Sequence, residues 1–171
     1  MKKLAIFITT LLITGTFASA QKYAFVDTEY ILNNIPSYKA AQDQLDKISK
    51  EYEQEITERY AEVDKLYKAY QNEVVLLTQE MKKKREDEII KKEQDVKDLQ
   101  QKYFGPEGEL FKKREELVKP IQDEVYNAVK EIAVEGNYAV IFDTASGPTF
   151  LYTNPKYDLS DMVLKKMGYK D

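Results

Sequence analysis

A chain of 171 residues, 43% hydrophobic and 33% charged, has the size of one domain or one domain plus an extension, and can build only a local core. It holds no cysteine and no histidine, which removes disulfides, thiolate nucleophiles, imidazole bases and nearly every zinc or haem site. Its six glycines form no G-x-G-x-x-G or G-x-x-x-x-G-K-[ST] phosphate loop, so enzyme chemistry and nucleotide-driven work are both disfavoured, and neither a cofactor nor a nucleic-acid partner is expected.

Residues 1–20, MKKLAIFITTLLITGTFASA, read as a secretory signal. Lys2 and Lys3 precede an apolar run of about 14 residues that ends in the small-x-small motif Ala18-Ser19-Ala20. The run is shorter than the ~20 residues a membrane span needs, so cleavage before Gln21 is expected, and the absence of cysteine excludes a lipoprotein anchor. Cleavage removes two of the 26 basic residues and none of the 30 acidic ones, taking the net charge from −4 to −6. The expected product is a soluble, mildly acidic protein of the periplasm, where no ATP is available.

Two segments of the remaining chain rhyme: KYAFVDTEY near its start and NYAVIFDTA near its end. Each sets Tyr-Ala before an apolar run that closes on aspartate. Residues 23–27 and 138–142 therefore read as short strands, and TFLYT at 149–153 as a third, joined to the second through the turn-rich stretch 143–148. Short helices are expected at 28–35 and 159–167. Everything from about 37 to 135 reads as helix, interrupted only by GPEG and by Pro120.

The helical part carries an apolar seam at Tyr38, Ala41, Leu45, Ile48, Tyr52, Ile56, Tyr60, Val63, Tyr67, Tyr70, Val74, Leu77 and Met81, with steps mostly of three and four, as in a coiled coil. Steps of four recur between Ile48 and Tyr60, a local insertion relative to strict heptads that relaxes the supercoil. The chain is expected to turn back near Leu76, Leu77 and Thr78, with Thr78 capping the returning helix. An outgoing arm of about 40 residues is ~60 Å long. On the return, Ile89, Val96, Leu99 and Tyr103 continue a sparser stripe; Gly105, Pro106 and Gly108 then break the helix and are expected to act as a hinge. Leu110, Leu117, Ile121, Val125, Ala128 and Ile132 lead back to the second strand through an expected kink at Pro120.

The two rhyming strands can meet only if the intervening chain goes out and comes back. The expected fold is therefore α+β, with a small sheet body (21–36 and 119–171) and a protruding helical coiled-coil hairpin arm (37–118). Three strands of about five residues make a very small body with exposed edges. Without disulfide or zinc, association through those edges is the remaining way to stabilise it, and Phe25, Val140, Phe142 and Phe150 are the expected interface residues.

FVDTEYILNNIPSYKAAQDQL, LVKPIQDEVYNAVKEIA, YAVIFD and YDLSDMVLKKMG, in this order and spacing, resemble the Skp/OmpH family of periplasmic chaperones over essentially the whole exported chain. The resemblance implies a homotrimer whose sheets form a shared barrel, three arms enclosing a cavity, and a holdase that keeps unfolded outer-membrane proteins from aggregating without ATP. Better-known members are basic, whereas this chain is acidic: Glu51, Glu53, Glu55, Glu58, Glu62 and Asp64 face the single Arg59. The expected client-binding residues are Tyr52, Tyr60, Tyr67, Tyr70, Leu76, Leu77 and Met81, although tyrosine at these positions equally suits a seam within the arm. Lys82, Lys83, Lys84 and Arg85 form a basic cluster just past the tip, which reads either as a solvated face balanced by Glu86, Asp87 and Glu88 or as a contact with a membrane surface. The alternative function is a structural coiled-coil spacer or scaffold of the envelope. A ruler of that kind should be stiff and specifically packed, and a tyrosine-rich, interrupted seam argues mildly against it.

Overall fold

The computed structural model describes residues 21–145 and 150–170. The expected signal at 1–20, the turn residues Ser146, Gly147 and Pro148, and Thr149 lie outside the described residues. The chain divides into two compact units, residues 21–31 with 125–170 and residues 32–124.

In the first unit β1 (Lys22–Val26) pairs in parallel with β2 (Tyr138–Asp143), and the register sets Tyr23 opposite Val140, Ala24 opposite Ile141, Phe25 opposite Phe142 and Val26 opposite Asp143. Parallel strands need a crossover connection rather than a tight turn; here the whole of residues 27–137 supplies it. The rhyme between the strands has a structural use, because each ends in Asp-Thr and the two ends clasp one another. Thr144 donates its backbone N–H to the Val26 carbonyl at 2.8 Å, while the Thr28 hydroxyl and N–H reach the Asp143 carboxylate at 2.7 and 3.2 Å. Alternation along β1 buries Ala24 and Val26 and leaves Tyr23 exposed. The buried residues of this unit also include Ile31 of α1 (Thr28–Asn33), Leu159, and Val163 and Leu164 of the closing α5 (Ser160–Lys166), which follows a 3-10 turn at Pro155–Tyr157.

Over its described residues, 150–153, the expected third strand does not form. Phe150, Leu151, Tyr152 and Thr153 have no ladder. The second edge of β1 is taken by the segment before α5, through a bridge between Phe25 and Asp158 and a bond from the Leu159 N–H to the Phe25 carbonyl at 2.8 Å. A strand-like pattern without a neighbouring strand cannot satisfy its backbone as a sheet.

The second unit holds α2 (Pro36–Glu73), α3 (Gln79–Phe104) and the first part of α4 (Glu109–Gly136). Proline at the first position of α2 costs nothing, since that N–H has no helical acceptor. At the other end residues 74–78 turn the chain, and the Thr78 side chain accepts from the Met81 N–H at 3.3 Å, capping α3 as its sequence position predicts. Helices α2 and α3 run antiparallel around Ile56, Val63, Ile89, Val96 and Tyr103, with Tyr52, Leu66, Tyr70 and Leu99 packed against them. Here the expected seam needs correction: Tyr60 and Tyr67 are 44% and 49% exposed. From Val63 the next inward steps are three and four, to Leu66 and Tyr70, and one residue of helical rotation carries Tyr67 about 100° away. Helix α4 continues through Pro120, whose ring nitrogen has no hydrogen to give the Glu116 carbonyl.

Candidate functional site

The seven tyrosine, leucine and methionine positions singled out along the arm separate into two environments. Tyr52 and Tyr70 belong to the packed seam. The Tyr52 ring stacks on Tyr103 with centroids 3.8 Å apart and planes 3° from parallel, and Phe104 stands edge-on to it at 6.2 Å. The Tyr52 hydroxyl donates to Glu109 at 3.0 Å, the Tyr103 hydroxyl to Glu55 at 2.6 Å, and the Tyr70 hydroxyl to Glu86. These bonds leave their mark on the titrating groups. The bond to Glu55 raises the Tyr103 phenol to about 12. Burial, then the Glu109 bond, raises Tyr52, and the bond to Glu86 raises Tyr70. Glu55 is lowered chiefly by the Tyr103 bond, and Glu109 by Lys102 and then by Tyr52.

Tyr60 and Tyr67 sit outside that seam, seven residues apart and so on one face of α2. At the tip Val75 and Leu76 are 83% and 85% exposed, Met81 is half-exposed, and Leu77 is partly covered. Leu77 and Met81 line a cleft of about 770 Å³ with Glu73, Lys84, Arg85 and Glu88. Lys83 and Lys84 are exposed and Lys82 is half-buried. Arg85 does not act as a free tip cation, since it pairs with Glu73 at 3.7 Å and Glu88 at 3.4 Å, tying α3 to α2.

The helical break runs from Gly105 to Gly108, with Pro106 in the turn between them. A Cβ on Gly108 would stand 2.7 Å from the Tyr103 carbonyl oxygen, and one on Gly105 2.4 Å from that of Gln101, so the chain closes on itself too tightly for side chains at these two positions.

In the body, Phe25, Phe142 and Phe150 come together. Phe150 meets Phe25 and Phe142 edge-on at 5.5 and 5.9 Å, and Phe25 and Phe142 lie 5.8 Å apart. Val140 shares this face of the sheet through its pairing with Tyr23, whose ring stacks on Phe142 at 6.4 Å. The result is an aromatic sheet face on which Tyr23, Val140 and Phe142 remain exposed. Among the described residues β2 pairs only with β1, and no helix is long and apolar enough to cross a membrane.

Reading by residue type missed several members of these surfaces. Tyr23 was within reach, since alternation along KYAFV puts it on the face of Phe25. The steps of three and four around Leu66 would have placed that residue in the seam. Glu55 and Glu109 carry no local signal, because their partners lie 48 and 57 residues away.

A protein of Aquifex aeolicus (strain VF5), itself uncharacterized, is 29% identical over 145 residues, 85% of each chain. A crystal structure from Caulobacter crescentus CB15, described as a candidate outer membrane chaperone (OmpH-like), shares the fold with a TM-score of 0.67 at 14% identity, covering 86% of this chain and 83% of that one. Residues 22–167 match the family described as Outer membrane protein (OmpH-like). Long helices joined to a two-stranded sheet are the α+β architecture this match entails, and the chain belongs to the OmpH-like family.

Proposed function

We propose that the protein is a periplasmic holdase chaperone, working without ATP, that binds unfolded outer-membrane proteins between the helical arms of a homotrimer. The observation that carries this reading is aromatic surface left over after the arm has packed. Helices α2 and α3 bury their own seam, and a second row, Tyr60 and Tyr67, stays in solvent with Val75, Leu76 and Met81 at the tip. Dispersed apolar and aromatic contacts of this kind suit an extended client held by many weak interactions rather than by one deep pocket. The chaperone description of the Caulobacter structure supports the same conclusion.

The trimer part of the proposal draws on the body. An exposed aromatic sheet face beside a strand edge that, among the described residues, carries no further strand offers both apolar area and backbone pairing to a second copy. Lys84 lines the tip cleft with Leu77 and Met81, and Lys83, Val75 and Leu76 are exposed, so the tip combines cationic and apolar groups, a pairing suited to an anionic membrane surface. Contact of the tips with such a surface is part of the same proposal. Export to the periplasm rests on the reading of residues 1–20 as a secretory signal.

The test is light scattering of a urea-denatured outer-membrane barrel protein diluted into buffer, with the mass of the complex measured on the same samples. Suppression at about one assembly per client is expected from the multivalent reading. Aggregation unchanged at every ratio would sink it and favour the scaffold.

A further inference from the structure

A step of four non-helical residues interrupts the returning half of the arm, while α2 runs past it without a break. By itself such a step is a hinge, since its φ and ψ angles are the only soft coordinates between two stiff rods. Here α2 grips both sides of it. Tyr52 stacks on Tyr103 and meets Phe104 before the step, and its hydroxyl holds Glu109 after it. Glu55, three residues further along α2, accepts from Tyr103. Lys102 reaches directly across the step to Glu109 at 3.2 Å and lies 5.4 Å from the centre of the Tyr103 ring. Elsewhere the α2–α3 seam is filled largely by aliphatic side chains, Ile56, Val63, Leu66, Ile89, Val96 and Leu99. The aromatic stack with its pair of carboxylates stands where the backbone is weakest.

We propose that Tyr52, Tyr103, Glu55 and Glu109 form a latch that holds the break at residues 105–108 in one geometry, so that the arm bends by release of the latch rather than by continuous flexing. Hydrogen bonds with an ionised acceptor are shorter than neutral ones and roughly twice as strong. Two of them converging on stacked rings make a discrete closed state. The bonds that cross the step are those of the Tyr52 hydroxyl and Lys102 to Glu109, and the stack on Tyr103 with its bond to Glu55 fixes Tyr52 in place to make the first of them. Release parts Glu109 from both partners as it frees the bend. Tyr52 consequently serves as a closing element of the arm, a role distinct from the exposed Tyr60 and Tyr67.

The chain has no cysteine, so Lys97→Cys and Lys119→Cys place spin labels on either side of the break without background, and mixing with unlabelled protein removes distances between copies. Pulsed dipolar spectroscopy on the parent is expected to give one narrow distance distribution. Tyr52→Leu should lose it, with a second, resolved distance appearing and helicity retained. Tyr103→Phe and Glu109→Gln, which keep side-chain volume, should each populate the same second distance to a smaller extent, and they decide the matter should Tyr52→Leu unfold the arm. Tyr67→Ala should leave the parent distribution unchanged. A broad distribution in the parent would show a free hinge and overturn the proposal. So would narrow, unshifted distributions in both conservative variants, because the step would then be rigid through its own backbone.

Discussion

Val140→Asp separates a body that stands alone from one that assembles. In the single chain Val140 is 41% exposed on the outward face of β2, opposite Tyr23. Full burial of a valine contributes about 1.5–3 kcal/mol, so covering the remaining two-fifths yields about 1 kcal/mol per copy on assembly. Aspartate forfeits that gain and places a carboxylate without a partner in an apolar interface, a penalty of several kcal/mol. The sum, about 4 kcal/mol or more, is roughly a thousandfold in the association constant. Val140→Ala gives up only the apolar area and should weaken assembly about fivefold. Within the isolated chain an outward aspartate on a short strand costs about 1 kcal/mol at most. Sedimentation velocity over a concentration series, with far-ultraviolet circular dichroism on the same samples, reads both quantities. Val140→Asp should sediment as a folded, smaller species. If it assembles as tightly as the parent, the sheet face is not the interface, and if the parent stays monomeric at every concentration, the assembly argument fails as a whole.

Three further outcomes follow from the packing and charge arrangement. Ile89→Ala empties the centre of the α2–α3 seam and should cost about 2–5 kcal/mol, whereas Tyr67→Ala on the exposed face should stay within about 0.5 kcal/mol; urea unfolding followed by helicity distinguishes the two, and equal effects would refute the assigned seam. Thr78→Ala removes the cap of α3 and should cost about 1 kcal/mol, detected as a lower midpoint in the same titration. The third concerns pH. Asp161 is lowered by Lys170, with Tyr30 adding a bond. Its contribution is therefore present above the ordinary aspartate range and lost as pH falls through the depressed value. Lys166 is raised by Glu135 and Glu131, so its contribution is full below the ordinary lysine range and lost as pH rises through the raised value. The thermal midpoint of the body should show a plateau between these limits, and Asp161→Asn should flatten the acid limb and, by releasing Lys170, which Asp161 holds raised, weaken the alkaline limb down to the Lys166 contribution.

Much of this architecture is local and could be read along the chain. The helical stretches, the turn near residues 76–78, the Thr78 cap, the glycine and proline break and the two rhyming strands depend on period, capping chemistry and backbone preference, all set by residues within a turn or two of one another. Composition likewise pointed to a small body with little core. What the tertiary structure alone decided is partner choice. Alternation makes 149–153 strand-like, but a strand exists only where another strand accepts its hydrogen bonds, and the segment before α5 had already occupied that edge of β1. An imperfect seam of threes and fours leaves two adjacent positions competing for the inside, and packing against Ile89 and Val96 settled it for Leu66 and against Tyr67. The stack of Tyr52 on Tyr103, with Glu55 of α2 and Glu109 beyond the break each accepting from one of the rings, joins residues about fifty positions apart. Local sequence rules act over a few residues, and contacts of that separation exist only once the chain has turned back on itself.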